Sequence, residues 1–338
     1  MNEEQQQKAS SNIAIKEILL EITNKCPLKC SHCSSNAAID NNTFIPFDTI
    51  KLIISEAKDM GAEVVQLSGG EPILHEKISL IIQYAQKLDL KVELYSCGND
   101  INQNKFEEIK NINKFTLSEK DKIIFSLHGF SRENHEYITN TKSSYNNVRN
   151  SIINSLKENI DTEIHVVPNR NNIFELENIV EWAKNIGISR VSFLKFVNHG
   201  RGRLNSLLFN IPVEYEYKIF HELYHKYGSY IRLGSPYNYL GIRPLVPCGS
   251  GLNKITITPD LELYPCVGLK KFLPSERYID SLKNIHNKYL LTNCNNCYNK
   301  NTERYFCKAQ RLGNYNMKCS NIQINNATKS PGEEHVVA

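Results

Sequence analysis

Long apolar runs are missing from this sequence. No stretch of its 338 residues approaches the roughly 18 uninterrupted apolar residues that a transmembrane helix needs. The first residues are polar and contain no apolar core of a secretory signal. The net charge is small, +4 from 40 basic and 36 acidic residues, which gives no argument for binding nucleic acid or an anionic membrane. These absences predict a cytoplasmic protein that binds neither nucleic acid nor a membrane.

Cysteine, by contrast, is abundant. The chain has ten cysteines, and without a secretory signal such a number favours metal binding over disulfides. Their distribution agrees, because three lie in one short loop, one is isolated, and six fall between Cys248 and Cys319. With this length and a hydrophobic fraction of 41%, we expect one large catalytic domain and a smaller module.

The three clustered cysteines carry the strongest signal. Cys26, Cys30 and Cys33 read C-x3-C-x2-C and follow an apolar run at residues 18–22. Three thiolates this close can bind three irons of a [4Fe–4S] cluster and leave the fourth iron without a protein ligand, whereas electron-carrying clusters use four cysteines. The spacing therefore predicts an iron that is open to a substrate or cofactor. A zinc knuckle completed by His32 is the alternative.

A second motif follows the apolar segment at residues 62–67. It consists of Gly69, Gly70 and Glu71. Two glycines after a strand let the backbone approach a ligand closely, and a neighbouring carboxylate can hold an ammonium group. Alone, this tripeptide is more often a turn than a site. Behind a three-cysteine loop it is much more specific.

Together the two motifs resemble those of the radical S-adenosylmethionine (SAM) superfamily. The resemblance covers roughly residues 15 to 205. It implies that a [4Fe–4S] cluster on the three cysteines chelates the amino and carboxylate groups of SAM through its open iron. It also implies that Gly69, Gly70 and Glu71 line the amino group of SAM.

Two further segments match the superfamily more weakly. Residues 95–99 end the next apolar strand, where the superfamily usually has a ribose contact, and residues 125–129 match a segment at the end of the fourth strand. By this resemblance, Ser96 and Asn99 contact the ribose. Ser126 is the candidate for a further contact with SAM.

Strand-like and helix-like patterns alternate along the first part of the chain. The predicted strands are Lys16–Ile22, Ala62–Leu67, Lys91–Tyr95, Lys122–Leu127, Glu163–Val167 and Arg190–Phe196, and the predicted helices include Phe47–Met60, His75–Leu88, Tyr145–Glu158 and Ile173–Ile186. This alternation predicts an α/β fold of parallel units, and six units suit the partial (β/α)6 TIM-like barrel that the resemblance also implies. The motifs end the first four strands. We therefore expect them at one rim of the barrel, where chemistry takes place in such folds.

Domain boundaries follow from these patterns. We predict a flexible N-terminus over residues 1–14, a radical SAM core over 15–205, a linking helix and strand over 206–245, a small cysteine-rich module of a hairpin plus helix over 246–322, and a flexible tail over 323–338. The 14 residues before the core are too few for a domain that binds a leader peptide.

The predicted module begins with a hairpin. Residues 253–258 and 261–264 read as its two strands, around Pro259-Asp260. Cys248 and Cys266 bracket this hairpin, so it brings them near one another. The pattern is similar to the SPASM and twitch modules of radical SAM enzymes, which carry one or two auxiliary [4Fe–4S] clusters.

Six cysteines of the module are candidate ligands. They are Cys248, Cys266, Cys294, Cys297, Cys307 and Cys319. An arrangement with one auxiliary cluster would use the first four and leave the last two as spare thiols or ligands. Two clusters would need an open iron or a ligand other than cysteine. A zinc ribbon on the last four is the alternative.

Two further features have two interpretations each. Cys97, on the predicted rim, could donate a hydrogen atom to a substrate radical, as in some radical peptide epimerases, or could be a small buried hydrophobic residue. The basic, glycine-rich segment 198–203 leaves the last predicted barrel strand. It could face an anionic group, or it could be a solvated loop.

The resemblance implies an enzyme that cleaves SAM reductively to a 5′-deoxyadenosyl radical, which then abstracts a substrate hydrogen. The leading hypothesis is a maturase that cross-links, epimerises or oxidises a ribosomal peptide or a protein side chain. A dehydrogenase acting on a small molecule in antibiotic or cofactor synthesis is the alternative, and a non-catalytic iron–sulfur or zinc redox sensor is a third possibility. A flavodoxin- or ferredoxin-type protein is the expected electron donor.

Overall fold

One sheet organises the described part of the chain. The computed structural model describes residues 15–99, 117–270, 276–278 and 281–282. Within these ranges the strands are β1 (Glu17–Thr23), β2 (Val64–Gly69), β3 (Lys91–Ser96), β4 (Lys122–Ser126), β5 (Thr162–Val166), β6 (Arg190–Phe193), β7 (Ile231–Leu233), β8 (Lys254–Ile257), β9 (Glu262–Tyr264) and β10 (Glu276–Arg277). Their order across the sheet is β10-β9-β8-β1-β2-β3-β4-β5-β6-β7.

Parallel pairing dominates this sheet. Strands β1 to β7 lie side by side in chain order, and each pairs in parallel with the next. The predicted α/β fold with six parallel units is confirmed. The seventh strand lies in the segment predicted as a linker, and it continues the ladder because Ile231 and Leu233 are buried on either side of the exposed Arg232.

Helices alternate with the parallel strands along the described part of the chain. They are α1 (Phe47–Asp59), α2 (Ile78–Lys87), α3 (Arg132–Thr139), α4 (Ser144–Lys157), α5 (Leu176–Asn185), α6 (Arg201–Leu204), α7 (Ser206–Phe209) and α8 (Val213–Tyr227). In α1, Ile50, Ile53 and Ile54 recur at helical spacing and join the same apolar core as the strands. None of the helices in the described ranges has the length and apolar character that crossing a bilayer requires.

Some element bounds differ from those predicted. The predicted helix His75–Leu88 begins at Ile78, because a 3-10 turn with a proline at its start precedes it. The predicted strand Arg190–Phe196 ends at Phe193, where its pairing with both neighbouring strands stops. Helix α3 was not predicted, and Ile138 is its one buried aliphatic residue, so it gives little periodic signal.

The predicted C-terminal hairpin is confirmed. Strands β8 and β9 pair antiparallel, and β8 also pairs in parallel with β1, so the hairpin extends the barrel sheet. Four of the candidate ligands lie outside the described residues, as do segments 1–14 and 323–338. Those ligands are Cys294, Cys297, Cys307 and Cys319.

The ends of β1 and β2 approach each other at a distance that only glycine allows. A Cβ atom on Gly69 would lie well inside van der Waals contact with the carbonyl oxygen of Thr23, and one on Gly70 would do the same at Lys25. Gly69 also has a positive φ of 124°. The two glycines therefore hold the start of the cysteine loop against the end of β2.

Replacing Gly70 with alanine tests this contact. We expect Gly70→Ala to lower the free energy of unfolding by about 3 kcal/mol, because the added methyl group must displace the backbone at Lys25. The matched control is Gly234→Ala, whose added Cβ meets only the Cδ of Pro236, at 3.3 Å. Urea unfolding measures both variants. Equal stability of the two would contradict the contact.

Candidate functional site

The loop after β1 gathers the three motif cysteines. Cys26, Cys30 and Cys33 pack with Cys97 around a small apolar group formed by Leu28 and Ala37. Within the loop, the Cys33 N–H donates to the carbonyl oxygen of Cys30 at 3.2 Å. Residues far apart along the sequence, from the ends of β1 and β3, therefore meet at one point of the rim.

The chemistry of these thiols fits an iron–sulfur cluster. Burial raises the pKa of the Cys30 thiol well above its ordinary value, and the charges of Cys26 and Cys33 raise it further. Three thiolates here would repel one another, so they need a cationic group as partner. Among the described residues, no three acidic, histidine or cysteine side chains are placed to hold a single metal ion. In a [4Fe–4S] cluster each thiolate binds a different iron.

Glu71 is buried and its carboxylate is occupied by backbone donors. Its Oε2 accepts the N–H of Cys97 at 2.7 Å, and its Oε1 accepts the N–H of Ile73 at 3.3 Å. Burial raises the pKa of Glu71 to about 7, and these hydrogen bonds oppose that rise. The carboxylate thus ties the end of β2 to the end of β3. The parts of the motif that stay partly exposed are Gly69 and Gly70.

Ser96 and Asn99 lie in the same turn and are also buried. The Ser96 hydroxyl accepts the N–H of Gly98 at 3.0 Å. The Asn99 amide donates to the carbonyl oxygen of Cys97 at 2.8 Å, and its oxygen accepts from Asn147 of α4 at 3.1 Å. Together with Glu71 they line a small pocket beside the end of β3. The structure therefore brings the predicted ribose residues next to the Gly-Gly-Glu segment.

Ser126 lies apart from that pocket, on the inner face of the sheet. It ends β4 and pairs in register with His165 of β5. The same face carries Glu163, whose carboxylate accepts from Lys122 at 3.1 Å and Arg190 at 2.8 Å. Burial alone would raise the pKa of Glu163. Hydrogen bonds from His165, Arg190 and Ser192 outweigh burial and hold this pKa below its usual range. The barrel interior is therefore charged and hydrogen-bonded.

Cys97 faces the cysteine loop. Its side chain packs against the group that contains Cys26, and its thiol donates to the carbonyl oxygen of Asn99 at 3.7 Å. Burial raises the pKa of the Cys97 thiol well above its ordinary value, and the neighbouring Cys26 and Glu71 raise it further. Cys97 thus joins the three loop cysteines as a fourth thiol, an arrangement that its isolated place in the sequence does not indicate.

Arg201 makes a contact with the cysteine loop that the sequence did not predict. Its Nε donates to the carbonyl oxygen of Cys30 at 2.9 Å, and its backbone N–H donates to that of Cys33 at 3.0 Å. A Cβ on the preceding Gly200, which has a positive φ of 56°, would lie 2.5 Å from the Cys33 oxygen. Segment 198–203, for which the sequence allowed either an anion site or a solvated loop, is therefore hydrogen-bonded to the cysteine loop. The glycines on either side of Arg201 were the sequence feature that indicated a close approach.

The start of the C-terminal module also reaches the rim. Lys270 donates to both carboxylate oxygens of Glu21 at 2.6 Å, and both side chains are buried. Ser35 of the cysteine loop donates to the same carboxylate at 3.2 Å. Burial raises the pKa of the Cys266 thiol, and the charge of Cys248, before the hairpin, raises it further.

A comparison with protein families decides the identity of this core. Residues 20–183 match the model of the Radical SAM superfamily. This chain contains a radical SAM domain. Members of that superfamily are enzymes, which agrees with the prediction of an enzyme.

Relatives of this radical SAM domain include two curated proteins. A probable GTP 3′,8-cyclase of Saccharolobus islandicus is 25% identical over 196 residues, which is 56% of this chain and 60% of that protein. The antilisterial bacteriocin subtilosin biosynthesis protein AlbA of Bacillus subtilis is 22% identical over 286 residues, or 80% of this chain and 59% of that protein. The chain thus spans about 60% of the length of the curated relatives that it matches.

A solved structure shares the fold of this chain. SuiB of Streptococcus suis, bound to S-adenosylmethionine, superposes on this chain with a TM-score of 0.68 at 13% identity. The match covers 91% of this chain and 77% of the SuiB chain. In its complex with the precursor peptide SuiA, the TM-score is 0.65. The fold therefore continues beyond the segment that the family model matches.

Removing the Arg201 side chain tests its role in the radical SAM domain. We expect Arg201→Ala to lower the iron content after anaerobic reconstitution, because a loop hydrogen bond from a charged donor stabilises by about 1.5–3 kcal/mol. Arg201→Lys should fall between that variant and wild type, because lysine cannot reproduce the guanidinium geometry. Arg203→Ala, which changes an exposed neighbour, is the control. Equal iron content in the Arg201→Ala and Arg203→Ala proteins would refute this role.

Glu71 should make stability depend on pH. The unfolded carboxyl loses its proton near 4.5, whereas the folded one keeps it up to about 7. The folded state therefore binds more protons in this window, and the free energy of unfolding falls as pH rises, by about 3 kcal/mol in total. In Glu71→Gln this fall is absent. Urea unfolding at about pH 5 and about pH 8 compares the two proteins, and identical pH dependence would contradict the assignment.

Proposed function

We propose that this chain is a radical SAM enzyme that modifies a ribosomally made peptide or a protein side chain. The observation that carries the proposal is the meeting of Cys26, Cys30 and Cys33 with the Gly-Gly-Glu segment at one rim of the barrel. Cross-linking, epimerisation and oxidation are the candidate modifications. All three begin with removal of a hydrogen atom from the substrate.

In this proposal the three loop cysteines hold a [4Fe–4S] cluster, and the turn after β3 holds SAM. When bound, the two cofactors supply a 5′-deoxyadenosyl radical that removes a substrate hydrogen. Gly69 and Gly70 offer partly exposed backbone to the amino group of SAM. Glu71 fixes the path of that backbone through its bonds to Ile73 and Cys97. Ser96 and Asn99 shape the ribose side, and Ser126 contacts SAM from the inner face.

The inner face of the sheet supports a polar substrate. Glu163, His165, Arg190 and Ser192 form a hydrogen-bonded group on β5 and β6. A peptide carries a donor and an acceptor at nearly every residue, so a charged interior can orient it. The similarity to AlbA, a protein of bacteriocin biosynthesis, and to SuiB, which was solved with a precursor peptide, adds support for a peptide substrate.

An auxiliary cluster completes the proposal. Cys248 and Cys266 lie close together next to β8 and β9, and a pair of cysteines can supply half the ligands of a [4Fe–4S] cluster. We assign the remaining ligands to Cys294 and Cys297. Cys307 and Cys319 stay candidates for a second auxiliary cluster. Residues 246–322 would form the SPASM- or twitch-type module that carries these cysteines. A flavodoxin- or ferredoxin-type protein in the cytoplasm would supply the electron for SAM cleavage.

The test is the mass of a short peptide encoded beside this gene, after co-expression with the enzyme in deuterated buffer. A loss of two hydrogens indicates cross-linking or oxidation, and a gain of one deuterium indicates epimerisation. Co-expression with Cys30→Ala is the matched control and should leave the peptide unchanged. A peptide modified equally by the Cys30→Ala protein would refute the proposal.

A small-molecule substrate is the second candidate. The similarity to a probable GTP 3′,8-cyclase favours it, although that match covers only 56% of this chain. An unchanged peptide, with Cys30-dependent 5′-deoxyadenosine still formed by the reconstituted protein, would favour this candidate. Absence of 5′-deoxyadenosine would leave the non-catalytic redox protein.

A further inference from the structure

Cys97 is a thiol without a role in the chemistry described so far. It follows β3, is only partly exposed and packs against the group that contains Cys26. Its thiol donates to the carbonyl oxygen of Asn99 at 3.7 Å. Its backbone is fixed, because its N–H donates to Glu71 at 2.7 Å and its carbonyl oxygen accepts from Asn99 at 2.8 Å. Rotation of the side chain is the freedom that is left to this residue. The thiol can therefore move only within the space beside the cysteine loop.

The surroundings of Cys97 are those of a ligand to the cluster. Four cysteines, Cys26, Cys30, Cys33 and Cys97, pack around the same small apolar group. Clusters that carry electrons use four cysteines, and three of these four already form the motif. A thiolate in this position would be the fourth in the group that the motif cysteines form.

We propose that Cys97 ligates the fourth iron of the cluster while SAM is absent and is displaced when SAM binds. The inference rests on the proposed function, since it needs the cluster on Cys26, Cys30 and Cys33. It assigns Cys97 a protective ligand role in place of hydrogen donation to the substrate. The resting cluster would then have no iron exposed to water or oxygen.

The exchange of ligands balances in atoms and charge. The iron–sulfur bond to Cys97 breaks, and bonds from the iron to the amino nitrogen and a carboxylate oxygen of SAM form. The amino group arrives as an ammonium and must lose one proton to bind iron. The Cys97 thiolate takes up one proton as it leaves. No electron is transferred, so no oxidant or reductant is required.

The experiment is mild ferricyanide oxidation of the anaerobically reconstituted full chain, without SAM. An iron held by no protein thiolate is lost and leaves a [3Fe–4S] cluster, which electron paramagnetic resonance detects. We expect wild type to keep its fourth iron and Cys97→Ala to lose it. Cys97→Ser retains the shape of the side chain but binds iron more weakly, so it should behave like the alanine variant. The Cys30→Ala protein provides the background from any auxiliary cluster.

Binding of SAM provides a second readout. Because SAM must displace Cys97 in wild type, we expect Cys97→Ala to bind SAM about tenfold more tightly or better. Equal loss of iron and equal SAM affinity in wild type and both Cys97 variants, with SAM cleavage intact, would overturn this inference alone. A protein whose iron content is unchanged by Cys30→Ala would overturn the proposed function and the inference with it.

Discussion

Backbone contacts on two sides fix the loop that carries the three cysteines. On one side, Gly70 lies so close to the carbonyl oxygen of Lys25 that no side chain fits between β2 and the loop. On the other, Arg201 donates to the carbonyl oxygens of Cys30 and Cys33. The loop is thus held by the end of β2 and by the start of α6, although it has no regular structure of its own. Such support places thiols accurately before any cofactor binds, which lowers the cost of ordering the site.

Sequence patterns predicted the features that are local along the chain. The first six parallel strands follow from short apolar runs, and the motifs at their ends fall on one rim because parallel strands share a direction. Contacts between distant residues were not predictable in this way. Arg201 lies 171 residues from Cys30, and Lys270 lies 249 from Glu21. No spacing rule links such residues, since the fold alone brings them together. The packing of Cys97 against the group that contains Cys26 is of the same kind.

The charged interior of the barrel has a physical cost that a purely structural protein would have little reason to carry. Burying Glu163 is unfavourable unless its charge is paired and its oxygens are hydrogen-bonded. Lys122, Arg190 and Ser192 satisfy those requirements. Apolar residues of similar volume would fill the same space at least as stably. Stability alone therefore does not explain the polar interior, which would face the proposed peptide.

Strand β1 connects the cysteine loop to the C-terminal module. Its end leads directly into the loop, and along its length it pairs with β8, the first strand of the hairpin beside Cys248 and Cys266. Near its end, the buried pair of Glu21 and Lys270 joins the two regions a second time, with Ser35 of the loop donating to the same carboxylate. A shift of the hairpin must therefore move β1 or break a buried ion pair, and both changes are costly. The two cysteine regions of this chain consequently share one rigid support, so the distance between them is set by the sheet.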